Sequence, residues 1–223
     1  MRRYIFPVLL GVIGVAILIS LGVWQLQRLQ WKEAMLAEIQ AKIDAPPVAL
    51  PASPAPSMKY LPVEIRGRTT GREILALSGS EDEGAGYQVI SAFETDTGRK
   101  IMVDRGFIRE GERKTARPPV DLIFRGNLHW PQEITSATPR PNLDENIWFA
   151  REVPAMAAQL GTEPVLVVAS AVGGDSQGVE PIPISITGIP NNHLEYAWTW
   201  FLLALVWGGM TVYLITRIRS RSY

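Results

Sequence analysis

The sequence predicts a membrane protein of the α+β class. Two transmembrane helices in a hairpin topology are expected to flank a β-rich, mostly antiparallel extracytoplasmic domain with a short helix. An apolar segment of spanning length lies near each end of the chain, at residues 5–23 and 197–216. Basic residues stand at both chain ends, outside these segments. Between the segments, short runs rich in β-branched residues are interrupted by Gly, Asp or Pro, which is typical of strands and turns.

The composition excludes several classes of function. Lys and Arg together number 22, as do Asp and Glu, so the charge balance indicates no nucleic-acid partner. The chain has no Cys, which excludes disulfides, thiolate metal sites and cysteine nucleophiles. It contains no nucleotide-binding loop, zinc spacing or nucleophile elbow. His129 could serve a catalytic triad, but no motif surrounds it and we interpret it as an ordinary surface or core histidine. We therefore expect that the protein is not an enzyme.

The first apolar segment predicts a transmembrane helix over residues 4–26, after a cytoplasmic N-terminus at residues 1–3. A cleaved signal peptide is the alternative, but its apolar region would be shorter, and no cleavage site of the Ala-x-Ala kind follows. Leu and Ile recur at helical spacing as far as Ile43, which predicts that the helix continues out of the membrane until Asp44, Pro46 and Pro47 end it. Residues 27–59 are thus predicted to hold a helix extension and a Pro-rich linker with little regular structure.

Residues 60–189 are predicted to form the β-rich domain. Strands are expected at residues 60–68, 73–78, 87–93, 100–105, 121–129 and 164–172. They could belong to the sheet of an α+β domain or to a small barrel. The run from Thr95 to Gly98 predicts a hairpin turn. Pro154 and Gly161 suit the first turn and the end of one short helix.

Residues 190–216 hold a polar motif and the second transmembrane helix, and residues 217–223 form a cytoplasmic C-terminus. Asn192 and Glu195 are spaced as an N-cap and an N3 residue, which predicts that the helix starts beside His193. The positive end of the helix dipole then favours a neutral imidazole with a free lone pair. Basic residues flank the two spans at the chain ends, and such residues usually remain in the cytoplasm, so both termini are expected there. These residues are Arg2, Arg3, Arg217, Arg219 and Arg221.

The outer ends of the two helices carry the candidate site. Because both helices meet the same membrane interface, residues of the first come level with the motif of the second. On helical wheels two faces emerge, one with Trp24, Arg28, Trp31 and Lys32, the other with His193, Tyr196, Ala197 and Trp200. An aromatic belt with snorkelling basic side chains would explain much of this. A planar metal macrocycle would also suit the two faces, with an imidazole for iron, basic groups for propionates and aromatic walls.

Six runs of the sequence carry a resemblance to a known family. The most specific run is PNNHLEYAWTWF at 190–201. Weaker runs are LGVWQLQR at 21–28 with Trp31 and Lys32, GYQV at 86–89, VDRGFI at 103–108, GNL at 126–128 and NIWFAR at 146–151. Together they closely resemble the SURF1/Shy1 family of cytochrome c oxidase assembly proteins over nearly the whole chain. The sequence departs from the family pattern at Asp104, where Asn is usual, at Phe107 for Trp and at Glu152 for Asp.

The resemblance implies that the protein binds haem a at the outer membrane face, with His193 as the residue to test as iron ligand. It also implies help with the insertion of haem a into subunit I of a haem-copper (cytochrome c type) terminal oxidase. Cytochrome c oxidase subunit I and membrane lipid are then expected partners, and haem a synthase is a further one. The lack of an Arg/Ser-rich leader favours a bacterial member in the inner (cell) membrane, with its main domain in the periplasm. Two alternatives stay open, a non-haem structural scaffold that stabilises subunit I and, less favoured, a membrane-anchored periplasmic enzyme.

Overall fold

The computed structural model describes residues 2–80 and 84–220, which fall into two units. A helical unit runs from the N-terminus to Glu38 and from Ile186 to the C-terminus, and a β-rich unit comprises Ile39–Ser185. Part of the topology prediction refers to residues 1 and 221–223, with Arg221 among them, and these lie outside the described residues. The side chains of Arg2 and Arg3 also lie outside the description.

The helices are α1 (Arg2–Ile43), α2 (Val153–Leu160) and α3 (His193–Ser220). α1 has 42 residues and continues to Ile43, as predicted. Its length is about 63 Å at 1.5 Å per residue, roughly twice the hydrocarbon thickness of a bilayer. Both α1 and α3 are long and apolar enough to cross a membrane. Only 11% and 6% of their most apolar windows are buried, whereas the core helix of a soluble domain would be mostly buried.

Small residues allow α1 and α3 to approach closely within the helical unit. Three glycines of α1 leave no room for a Cβ atom, because it would overlap a side chain of α3; the pairs are Gly11 with Thr211, Gly14 with Trp207, and Gly22 with Phe201. These pairs run in opposite directions along the two helices, which are therefore antiparallel. Lipid provides no hydrophobic driving force between helices, so close packing at small residues is the usual way in which membrane helices associate.

The β-rich unit is built on a closed barrel. Its strands are β1 (Val48–Ala49), β2 (Pro62–Ser80), β3 (Gly84–Thr95), β4 (Lys100–Arg109), β5 (Asp121–His129), β6 (Ile147–Trp148) and β7 (Leu166–Gly173). The order β2-β3-β4-β7-β5 closes because β5 also pairs with β2. Within the described residues, four of the seven strand pairings are antiparallel, as the sequence predicted. Of the two architectures that the sequence left open, the structure adopts the small barrel.

Two strand predictions need correction. The runs at residues 60–68 and 73–78 belong to one strand, β2, whose pairing with β3 shifts register between Thr69 and Glu73. Such an irregularity bends a strand, so that β2 can pair with β5 along its first half and with β3 along both halves. The linker also contains regular structure, because β1 pairs in parallel with β2 at Val63 and Glu64. A two-residue strand is too short for a periodic pattern, and its partner is distant in sequence.

Local turn and cap predictions are confirmed. The amide of Gly98 donates to the carbonyl oxygen of Thr95 at 2.8 Å, and Gly98 has a φ of +78°, as a tight hairpin turn requires. Pro154 lies in the first turn of α2, and Gly161 follows its last residue in the left-handed conformation. α2 packs four buried side chains against the sheet, namely Val153, Met156, Ala157 and Leu160.

The motifs in the middle of the chain make structural contacts. Gly106 has a φ of +121°, and a Cβ there would overlap the backbone at Glu180. The side-chain amide of Asn146 donates to the carbonyl oxygen of Glu73 at 2.8 Å, and the buried Arg105 donates to that of Ser176 at 2.8 Å. These contacts give Arg105, Gly106 and Asn146 structural roles in turns and packing.

Candidate functional site

The candidate site lies in the helical unit, where α3 begins. The amide of Tyr196 donates to the carbonyl oxygen of Asn192 at 3.1 Å, so Asn192 occupies the N-cap position. The helix therefore starts at His193, as predicted. Glu195 lies in the first turn, where an acidic side chain interacts favourably with the helix dipole.

One side chain of α1 contacts His193. The Nδ1 atom of His193 lies 2.8 Å from the Oε1 atom of Gln25, a residue 168 positions earlier in the chain. Gln25 is buried, with 9% of its surface exposed, and His193 is partly buried. The contact engages one ring nitrogen, and the Nε2 atom has no hydrogen-bond partner within the described residues.

A second side chain of α1 holds the segment just before His193. The ammonium group of Lys32 donates to the carbonyl oxygen of Pro190. Lys32 lies about two helical turns, or roughly 10 Å, beyond Gln25 on the same face of α1. The motif is therefore attached to α1 at two points, at Pro190 and at His193.

Arg28 lies between Gln25 and Lys32 in the sequence of α1. Its guanidinium carbon is 4.0 Å from the centroid of the Trp31 ring, which is a cation–π contact. Arg28 is exposed and Lys32 is partly buried. In the part of the chain that the structure describes, neither is paired with a carboxylate. Both can therefore neutralise an anionic group at this end of the unit.

The aromatic residues of the site differ in exposure. Trp24, Trp31 and Tyr196 are about half exposed, at 54%, 51% and 56%. Trp200 is partly buried, and its indole Nε1 atom is buried without a hydrogen-bond partner in the described part of the chain. The same holds for the Oδ1 atom of Asn191. Buried polar atoms normally have partners, so these two atoms are exceptions whose hydrogen-bonding capacity is unused within the described residues.

The structure brings together part of the predicted set and adds one residue to it. His193 and Lys32 lie at the contact between the helices, and Arg28 and Trp31 contact each other beside it. Trp24 and Tyr196 lie on open faces. Gln25 was not among the predicted site residues, although it directly contacts His193. The separation of Gln25 and Lys32 by two helical turns was the signal in the sequence that could have identified it.

Titratable groups are also buried in the β-rich unit. Burial raises the pKa of the Asp104 carboxyl to about 6, although Arg151 lies 2.9 Å away and opposes the rise. Burial lowers the pKa of His129 to about 4, and the positive charges of Lys59 and Arg151 add to this effect. The Nδ1 atom of His129 is buried without a partner among the described residues. His129 is thus a largely buried, neutral histidine near neutral pH.

No cluster of protein ligands for a bare metal ion exists in the described ranges. Groups of three or more His, Cys, Asp or Glu side chains close enough to share an ion are absent from residues 2–80 and 84–220. At His193, the described chain therefore offers one imidazole.

Comparison with known proteins gives one consistent result. The family model described as the SURF1 family matches residues 12–205. A SURF1-like protein of Monosiga brevicollis is 33% identical, with 91% of this chain and 85% of that protein covered. Surfeit locus protein 1 of Homo sapiens is 32% identical, with 83% of this chain and 69% of that protein covered. A SURF1-like protein of Rickettsia conorii is 29% identical, with 91% of this chain and 88% of that protein covered.

Proposed function

Because this chain belongs to the SURF1 family, as the sequence predicted, we propose that it is an assembly factor for a haem-copper terminal oxidase. In this proposal it binds haem a at the outer membrane face and helps its insertion into oxidase subunit I. One observation carries the proposal. His193, in the most specific family motif, is held against α1 through one ring nitrogen, while the other is free of partners in the described chain.

The helical unit supports a position in the membrane. α1 and α3 expose their apolar side chains and pack against each other at small residues, as membrane helices do. We propose that both cross the inner (cell) membrane of a bacterium, with both termini in the cytoplasm and the β-rich unit in the periplasm. His193 would then lie at the outer interface, where a lipophilic ligand is accessible.

The side chains around His193 suit haem a in their chemistry. His193 would ligate the iron, Arg28 and Lys32 would neutralise propionates, and the tryptophans and Tyr196 would cover the apolar faces of the ring. Trp24, Trp31 and Tyr196 have the exposed surface that this needs, and Trp200 has an indole N–H without a partner in the described chain. Haem supplies four of the iron's donor atoms, so a single protein imidazole suffices to fix it.

The proposed role is binding and delivery and is not catalytic. Its partners would be cytochrome c oxidase subunit I, which receives the haem, and haem a synthase, which supplies it. The β-rich unit would provide the periplasmic surface for such contacts. Membrane lipid would surround α1 and α3.

The test is the haem spectrum of the detergent-purified protein after co-expression with haem a synthesis. We expect a Soret band of a high-spin or mixed-spin haem whose protein ligand is mainly His193. His193→Ala and His193→Met should lose or shift this band at unchanged protein level in the membrane. His129→Ala is the matched control, since it removes the other of the two histidines, and should keep the band. A wild-type spectrum in both His193 variants would return His193 to a structural role.

A structural scaffold without haem is the second candidate. It is favoured by the contacts of Gln25 with His193 and of Lys32 with Pro190, which join the two helices whether or not a ligand is bound. If wild-type protein carries no haem but His193→Ala lowers its membrane level and the level of oxidase subunit I, this second function is the correct one.

A further inference from the structure

The position of the hydrogen on the His193 ring decides which nitrogen can bind a metal. A neutral imidazole carries one nitrogen-bound hydrogen, on Nδ1 or on Nε2, and the other ring nitrogen has the free lone pair. In this structure Nδ1 lies 2.8 Å from the amide oxygen of Gln25, which is hydrogen-bond distance. An amide oxygen can only accept, so the hydrogen of this bond must belong to Nδ1.

We propose that Gln25 is the positioning residue that holds His193 in the Nδ1–H tautomer and leaves Nε2 bare as the metal-binding atom. The part of this inference that concerns the metal rests on the proposed function. The part that concerns the tautomer rests on the contact alone. Histidines that bind metals usually donate their other ring N–H to an oxygen in this way, which fixes the ring and makes the bare nitrogen more basic.

The surroundings of Gln25 make it suited to this task. It is buried where α1 faces α3, so water does not compete readily for its amide oxygen. Its backbone belongs to α1, so the point from which the side chain extends is fixed. Lys32 holds the carbonyl oxygen of Pro190 from the same face of α1, so the backbone that leads to His193 is also fixed. The first contact restrains the ring of His193, and the second restrains the backbone three residues before it.

The experiment is nitrogen NMR of the full-length, haem-free protein in detergent, labelled with ¹⁵N at histidine. The chain has two histidines, and a His129→Gln variant identifies the signals of His193. Protonated and bare ring nitrogens resonate far apart, so the spectrum reports the tautomer directly. We expect wild-type His193 to carry its hydrogen on Nδ1. A hydrogen on Nε2 would overturn the proposal, because the Gln25 amide group would then be the donor.

Three variants separate positioning from packing. Gln25→Leu keeps the bulk but removes the acceptor, and should lose the tautomer preference and weaken haem binding by about 10–100-fold. Gln25→Glu keeps an acceptor and should retain the hydrogen on Nδ1. Gln27→Leu is the matched control, since Gln27 is exposed on α1, and should match the wild type. An unchanged tautomer in Gln25→Leu would overturn the proposal. A protein with the expected tautomer that takes up no haem would contradict the proposed function and leave the role of Gln25 intact.

Discussion

The Nη1 atom of Arg151 lies 2.9 Å from the Oδ2 atom of Asp104, whose side chain is only 1% exposed. Arg151 is shared, because its Nε atom also donates to Glu133 at 3.0 Å. The loss of hydration outweighs the attraction of Arg151, which is why the pKa of Asp104 is raised to about 6. The ionised carboxylate is therefore a cost to the fold at neutral pH.

Asp104→Asn is expected to stabilise the protein at neutral pH. The carboxyl titrates near 3.8 when unfolded and near 6 when folded, so the folded chain binds more protons between these values. The stability that Asp104 contributes is therefore present below pH 4 and is lost as the pH rises through 6. A shift of about 2 pKa units corresponds to about 3 kcal/mol at most. We therefore expect Asp104→Asn to raise the free energy of unfolding by about 1–3 kcal/mol at pH 7.5 and to leave it unchanged below pH 4.

Urea unfolding of the detergent-solubilised protein across this pH range measures the effect as the difference between variant and wild type. His129, whose pKa is lowered, is present in both proteins, so its contribution to the pH dependence of stability cancels in that difference. Asp121→Asn is the control, because Asp121 forms an exposed ion pair with Arg68. If Asp104→Asn destabilises the protein at pH 7.5, the pair with Arg151 is net favourable and the prediction is wrong.

Arg28→Ala is expected to weaken haem retention and to leave the protein level near normal. Arg28 is exposed and stacks on Trp31, so its removal opens no cavity. A propionate at a partly desolvated interface would lose a charge-assisted hydrogen bond, worth about 1–3 kcal/mol. The measurement is the ratio of Soret absorbance to protein during detergent washing. Arg219→Ala, near the other end of the helical unit, is the control and should retain haem like the wild type. Loss of the Arg28→Ala variant from the membrane would instead indicate a packing role for Arg28.

Gly22→Val is expected to separate α1 from α3. A Cβ at Gly22 would overlap the ring of Phe201, whereas a Cβ at Gly209 has no neighbour within 4 Å. Overpacking of a tight contact costs typically about 1–3 kcal/mol. The chain lacks Cys, so two cysteines can be introduced at positions 15 and 208 without competing thiols. A Cβ at Gly208 would lie beside the Val15 side chain, so the rate at which the two cysteines form a disulfide reports the helix contact. We expect slower cross-linking in Gly22→Val and no change in Gly209→Val; equal rates in both would contradict the close contact.

A reporter fused after Tyr223 is expected to be active only as a cytoplasmic reporter. The reason is the arginines at both chain ends, since basic residues next to a span remain on the cytoplasmic side. A reporter inserted after Gly111, which has open space around it in the β-rich unit, should be active only on the periplasmic side. Periplasmic activity at the C-terminus would refute the hairpin topology.

Local patterns in the sequence determined the helices, most strands and the family. The apolar segments, the stop at Asp44, the turn at Gly98 and the ends of α2 each depend on a few neighbouring residues, whose preferred backbone conformations act over that same short distance. The motif at 190–201 identified the family for a similar reason, because it is contiguous. The start of α3 at His193 could also be read from the spacing of Asn192 and Glu195.

Only the tertiary structure decided the closed barrel and the partner of His193. The barrel closes through the pairing of β2 with β5, and its register results from packing among strands that are far apart in the chain. Gln25 and His193 are separated by 168 residues, and their contact follows from how Gly11, Gly14 and Gly22 set the packing of α1 on α3. The order of residues along the chain does not indicate such contacts, because they form only when the two helices pack against each other.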